Sequence, residues 1–222
     1  MQAICYKMTG MTTSTDLFPA SDFDDWAETY DRSVSDWQTF PFTGYGDLLK
    51  TVFTLAEPRP GLSVLDLGTG TGNLAFLFAR AGCELCCTDF SEPMLAKARQ
   101  KLPGAHFVLH DLRADLPAEL NHPFDRIISA YVFHHFDLDE KLHILCSLLP
   151  QLAPGGRIVI GDIAFPDAAA AALEKVKIAA GEEWDDEFYW IADKAVVALQ
   201  KINLKVEYVQ VSSCVGIFTL QA

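Results

Sequence analysis

Residues 64–75 read VLDLGTGTGNLA, a short apolar run broken by Asp66 and followed by glycines at positions 68, 70 and 72. The run is short enough for a buried strand, and a helical apolar pattern follows at 72–81. Glycines between a strand and a helix let the backbone turn sharply and let a ligand come close to it. Two registers compete for these residues. Starting at Gly70, the chain spells G-x-G-x-x-A through Gly72 and Ala75, the turn that holds a nicotinamide dinucleotide on a helix N-terminus. Starting at Asp66, an acid stands two residues before the first glycine, where a second carboxylate is unfavourable beside a diphosphate. That register suits a cofactor carrying an ammonium and a sulfonium.

The rest of the chain repeats this strand–helix rhythm. Apolar runs at 62–67, 84–88, 105–109, 126–130 and 157–162 alternate with helical patterns at 72–81, 91–101 and 137–150. Ser91 caps the second of these helices, with Pro93 tolerated in its first turn, and Asp137 with Glu140 caps the third. Continuous rather than alternating apolar strands predict burial on both faces, hence an α/β fold with a parallel sheet between helix layers. Right-handed crossovers then gather every loop that follows a strand at one edge, where such sheets bind ligands. Ahead of this core, Ser21 with Asp24 predicts a capping box, and Phe23, Trp26, Ala27, Tyr30 and Val34 share a helical face. A further helix is expected over 44–57. After the fifth strand come an alanine-rich helix (167–180), the acidic-aromatic stretch GEEWDDEFYW, another helix to about 201, and two closing β segments, LKVEYVQVSS and CVGIFTLQA.

Composition excludes several function classes. With 222 residues, half of them hydrophobic, the chain can bury a sizeable core. A formal net charge of −13 argues against nucleic acid as a partner, because phosphate binding needs clustered Lys and Arg. No run reaches the roughly 18 apolar residues of a membrane span, and the first residues lack a signal-peptide pattern, so a cytoplasmic protein is expected. The six cysteines lie in apolar segments, and the C-x-x-C of Cys83 and Cys86 reads as core packing rather than a redox pair.

The landmarks beyond the glycine loop carry a resemblance. D-L-G-T-G-T-G resembles the first motif of the class I S-adenosylmethionine-dependent methyltransferases. Asp89 in CCTDFSEPML, Asp111 in FVLHDL, the strand-four stretch FDRIISAYVFHHF, the turn LAPGGRIVIGD and the closing β-pair are similar to that family's later landmarks in order and spacing. The resemblance spans roughly residues 20–222. It implies a Rossmann-like, seven-stranded, mostly parallel sheet with an antiparallel last strand, helices on both faces and a helical N-terminal cap. Residues 1–20 then form a flexible N-terminus and 21–222 a single methyltransferase domain, with 21–57 as the cap and 167–201 as variable lid helices over the substrate.

Carried over position by position, the resemblance implies S-adenosyl-L-methionine as cofactor and a small-molecule O, N or S nucleophile as acceptor. Asp66, Gly68, Thr69 and Gly70 would face the methionine part, and Asn73 would also contact the cofactor. Asp89 would bind ribose, Phe90 and Met94 would pack on adenine, and Asp111 and Leu112 would sit at its edge. Ala130 would lie beside the sulfonium, and Tyr30 would reach the cofactor carboxylate or the substrate. Core packing and turn formation are the alternative roles for Phe90, Met94, Tyr30 and Asp111.

For catalysis, adjacent residues usually point apart, so one of His134 and His135 is expected to face the site; the resemblance implies that it is His135, which would accept a proton. Asp162 is the other candidate, as base or as anchor for a cationic substrate. Trp26, Trp184 and Tyr189 are candidate substrate contacts, the last two from a possible lid. No metal site is expected, since no metal-type Cys/His spacing accompanies the histidines. Two further readings remain open: a nicotinamide-dependent oxidoreductase, and a module that binds S-adenosylmethionine without turnover.

Overall fold

The computed structural model describes residues 18–34, 40–177 and 187–222. Five strands, β1 (Ser63–Leu67), β2 (Glu84–Asp89), β3 (His106–Leu109), β4 (Phe124–Ala130) and β5 (Leu152–Phe165), run parallel. A two-residue strand, β6 (Trp190–Ile191), joins the far end of β5, and the chain closes with β7 (Lys205–Gln210) and β8 (Val215–Gln221). The main sheet has the order β3-β2-β1-β4-β5-β8-β7, and β8 is inserted antiparallel between β5 and β7. The order reverses between β1 and β4, and that switch point opens a crevice beyond the strands' C-terminal ends.

Burial follows position in the sheet. The inner strands β1 and β8 are buried along nearly their whole length, whereas the edge strand β7 alternates between exposed and half-buried residues. Neighbouring residues of one strand feed opposite cores, as the two-residue period of a strand requires. Leu65, Ile127, Ile158 and Ile160 pack under α6 (Leu138–Leu148) and α8 (Ala192–Lys201). Val64, Ile128 and Val159 pack under α3 (Tyr45–Ala56) and α4 (Asn73–Arg80). Gly161 makes the α3 contact possible: a Cβ there would lie 2.7 Å from Leu48 and from Val52. Among the described residues, no helix is long and apolar enough to cross a membrane.

The capping signals hold for two helices and fail for one. Ser91 Oγ accepts from the Met94 amide at the start of α5 (Glu92–Lys101), and Asp137 with Glu140 forms a reciprocal capping box on α6. The expected Ser21 cap is corrected by the structure, because α1 (Ala20–Trp26) begins at Ala20 after Pro19 and has no side-chain cap. Asp24 instead accepts a 2.6 Å hydrogen bond from Ser91 across the molecule. The single helical stripe expected through Val34 is also interrupted at 27–29, and a short α2 (Tyr30–Ser33) follows. The alanine-rich helix appears as α7 (Ala168–Lys177). Of the expected flexible N-terminus, only Phe18–Ala20 falls within the described residues.

Candidate functional site

A cavity of about 460 Å³ occupies the crevice at the switch point. Its floor is the glycine loop after β1. Gly68, Gly70 and Gly72 all have positive φ (63°, 53° and 86°). A Cβ on Gly68 would come within 2.3 Å of Val132, while one on Gly70 would meet nothing within 4 Å, so the loop packs on β4's continuation and leaves its other side open to a ligand. Asp66 ends up 1% exposed and accepts a 2.6 Å hydrogen bond from Thr69 Oγ1. Burial, with Asp89 nearby, lifts its carboxyl from 3.8 to about 7. A buried carboxylate held this way fits an incoming ammonium, which supplies the missing counter-charge.

Asp89 closes β2 and accepts amide hydrogen bonds from Gly70 (2.8 Å) and Ser91 (2.9 Å). Burial raises its pKa despite those donors. The walls hold Tyr30, Gly68, Thr69, Gly70, Asn73, Phe90, Met94, Asp111, Leu112 and Ala130, every one a residue singled out for the cofactor, together with Trp26. The Tyr30 hydroxyl pairs with Tyr45, and burial pushes its pKa well up, so it stays a neutral hydrogen-bonding group. The cap is pinned over this floor by polar clasps. Asp24 meets Ser91, Glu28 meets Lys97 at 2.8 Å, and Asp31 receives Thr71 Oγ1 (2.6 Å), Asn73 Nδ2 (3.1 Å) and Lys101 Nζ (2.7 Å).

The other end of the cavity is aromatic and carries both histidines. After β4, Tyr131 takes a positive φ of 58°, and the chain enters a 3-10 turn, Phe133–His135. Contrary to the expectation that one histidine faces the site, both line it, their rings 4.0 Å apart. Phe18 and Phe23 of the cap pack on His135 at 4.6 and 5.2 Å. His134 Nδ1 donates to Asp162 Oδ1 at 2.7 Å. Burial alone would lower the His134 pKa, but Asp162 overrides it and the net direction is up. His135 goes the other way: burial, then the cations around it, hold its pKa well below the ordinary histidine value.

Three expected site residues do not reach the cavity walls or cannot be placed there. Asp162 is 0% exposed and accepts from His134, the Trp190 indole (3.2 Å) and the Ile163 amide (2.8 Å). With those donors around it and no exposed surface, it orients His134 rather than meeting a substrate. Tyr189 packs against Phe40 and Phe165 outside this cavity. Trp184 lies outside the described residues, as does most of the acidic-aromatic stretch. Sequence reasoning passed over Phe18, Phe42, Tyr45, Tyr131 and Arg113, set His134 aside for His135, and took Glu187 only as part of the acidic-aromatic stretch. Only His134, adjacent to His135 in a chemically unusual pair, carried a local signal.

Comparison with known proteins gives the family and the fold. The methyltransferase-domain family matches residues 64–156. An uncharacterized methyltransferase of Geobacillus kaustophilus is 33% identical over 206 residues, covering 88% of this chain and 93% of that one. The chain belongs to the class I S-adenosylmethionine-dependent methyltransferases. Among solved structures, the DhpI-SAM-HEP complex superposes on this methyltransferase with a TM-score of 0.74 at 20% identity, covering 95% of this chain and 100% of the other. The [4+2]-cyclase SpnF superposes with a TM-score of 0.73 at 15% identity, covering 96% and 98%. These two share the fold with the methyltransferase, and fold alone does not choose a chemistry.

Proposed function

We propose that this methyltransferase transfers the methyl group of S-adenosylmethionine to a small-molecule O, N or S nucleophile. One observation carries the reading: a single cavity joins the glycine loop, Asp66 and Asp89 at one end to the aromatic cap and paired histidines at the other. Its volume, about 460 Å³, lies in the small-molecule range of roughly 300–1,000 Å³. When bound, the cofactor supplies an electrophilic methyl group whose C–S bond breaks, with the electron pair passing to sulfur, as the acceptor's bond to carbon forms.

The chain's own residues hold and align. Asp66, Gly68, Thr69, Gly70 and Asn73 take the amino-acid part of the cofactor, and Tyr30 its carboxylate. Asp89 takes the ribose, Phe90 and Met94 the adenine face, and Asp111 and Leu112 the adenine edge. Ala130, small and at the end of β4, leaves room beside the sulfonium. Trp26 walls the acceptor side, and the histidine turn receives the acceptor's proton, with Asp162 fixing the orientation of His134. Alignment and exclusion of water provide most of the rate, since effective molarities on the order of 10⁵ M or more are attainable that way. A cytoplasmic enzyme with no nucleic-acid partner accords with the net charge of −13.

The test incubates the full chain with labelled S-adenosylmethionine and a panel of amines, phenols and thiols, reading S-adenosylhomocysteine release. Release with at least one panel member is expected. Binding of S-adenosylmethionine without release across the panel would instead mark a non-catalytic binding module. Equilibrium dialysis showing binding of NAD but not of S-adenosylmethionine would establish the oxidoreductase reading.

A further inference from the structure

We propose that His134, His135 and Glu187 together form a binding site for one divalent first-row transition-metal ion at the acceptor end of the cavity. One donor atom from each of the three lies within 4.8 Å of the others, and all three residues line the cavity. His134 donates a hydrogen bond from Nδ1–H to Asp162, so in the neutral ring Nε2 carries the lone pair for a ligand, and Nε2 stands 3.9 Å from Glu187 Oε1. A histidine oriented by a carboxylate through its far nitrogen is the usual outer support of a metal-binding imidazole. In a tetrahedral site two donors about 2.1 Å from a zinc-like ion stand about 3.4 Å apart, so that pair needs to close by about 0.5 Å and the widest separation by about 1.4 Å.

His135 adds an independent observation. Its Nδ1 is buried and has no hydrogen-bond partner. A buried polar atom without a partner calls for an explanation, and an ion is one that also uses its neighbours. Glu187 is not there by accident of a loose side chain. The next residue, Phe188, donates its amide to the His134 carbonyl at 2.7 Å and accepts from the ammonium of Lys141, a residue only 2% exposed. The two nearby cations are directed elsewhere. Lys141 faces the Phe188 carbonyl and the Trp190 ring, and Arg113 turns to the His135 carbonyl (3.3 Å) and the carboxylates of Asp111 and Glu140.

Two imidazoles and one carboxylate suit zinc, iron, cobalt or nickel, and three protein donors leave a coordination position open toward the cavity. An ion there would lower the pKa of an acceptor hydroxyl or thiol that coordinates it; with both imidazoles occupied as ligands the proton would leave to solvent, whereas in the metal-free protein the histidine turn takes it. The role in catalysis rests on the methyl-transfer reading; the ion's binding does not.

The experiment strips the full-length protein with chelator and titrates it with Co²⁺, reading d–d absorption, and with Zn²⁺ by calorimetry. Saturation at one ion per chain is expected, with Glu187→Gln and His135→Asn each weakening binding by about tenfold or more. Circular dichroism of each variant checks that it has folded, and Glu187, half-buried at the cavity rim, is the substitution least able to disturb the core. Absence of saturable binding, or binding unchanged in both folded variants, would overturn the site. Calorimetry with S-adenosylmethionine on the same stripped protein reports on the methyltransferase reading separately.

Discussion

The two ends of the cavity are built by different means. At the cofactor end, Asp66, Asp89, Asp111 and Ala130 each stand at or just after the end of a parallel strand, within a few residues of the glycine loop or its neighbours in the sheet. The sheet order alone brings them together. At the acceptor end, Phe18 and Phe23 from the cap, the histidine turn after β4, and Glu187 ahead of β6 meet only because separate segments pack over the crevice. The first kind of site is inherited from a topology and tolerates little change. The second depends on surface segments, which is where a common scaffold varies what it acts on.

The comparison predicts that damage at the two ends separates in cofactor and acceptor measurements. The largest effect belongs to Asp66→Asn. Losing a charged partner for the cofactor ammonium weakens S-adenosylmethionine binding by about 100-fold, the roughly 2.7 kcal/mol expected for a hydrogen bond to a charged group. Stability moves the other way. Because the folded-state pKa of Asp66 is raised from 3.8 to about 7, its contribution to stability is fully present below about 3.8 and is lost as pH rises to about 7. The cofactor-free variant is therefore more stable than the native chain at pH 8, by at most on the order of 4 kcal/mol. The ionised form binds the cofactor, so affinity in the native chain climbs roughly tenfold between about pH 6 and pH 8, and Asp66→Asn flattens that climb. Calorimetric titration and thermal melts across pH check all three signs.

A middle-sized effect is expected from Phe18→Ala, which removes the ring against His135. It raises the acceptor KM about tenfold, near 1.4 kcal/mol for part of an aromatic side chain, and leaves cofactor affinity within about twofold. Equal losses in both constants would show that the two ends are one unit. The smallest effect is at the seam. Asp31→Asn removes the carboxylate that Lys101, Thr71 and Asn73 hold below its ordinary pKa against the pull of burial. A half-exposed ion pair of this kind is worth about 0–1 kcal/mol, so cofactor affinity falls by less than about fivefold, and addition of salt reproduces the change in the native chain.

The same division runs through what could be read in advance. The strands and most of the helices follow from local signals: continuous apolar runs, alternate glycines, Ser91 and Asp137 as caps; the cofactor-end residues beyond the glycine loop and Asp66 come from the family resemblance. The Ser21–Asp24 capping box fails although the spacing is right, because Asp24 has a better partner in Ser91 and Pro19 already starts α1. Asp162 shows the converse. It is expected to close the fifth strand as a catalytic acid, but β5 continues to Phe165, and three donors, the Trp190 indole among them, enclose it. Choosing between His134 and His135 from adjacency also fails, since a 3-10 turn following a positive-φ tyrosine directs both rings to one cavity.

By itself, the sequence determined the sheet, its ligand-binding edge and the sign of the charge waiting at Asp66. Those depend on hydrophobic periodicity and on backbone freedom at particular residues, which act over a few positions of chain. Only the tertiary structure decided which groups surround the acceptor. The His134–His135 pair, Asp162 and Glu187 come from three separate stretches of chain, and their meeting arises from burial and from hydrogen bonds between segments that come together only after the sheet has formed.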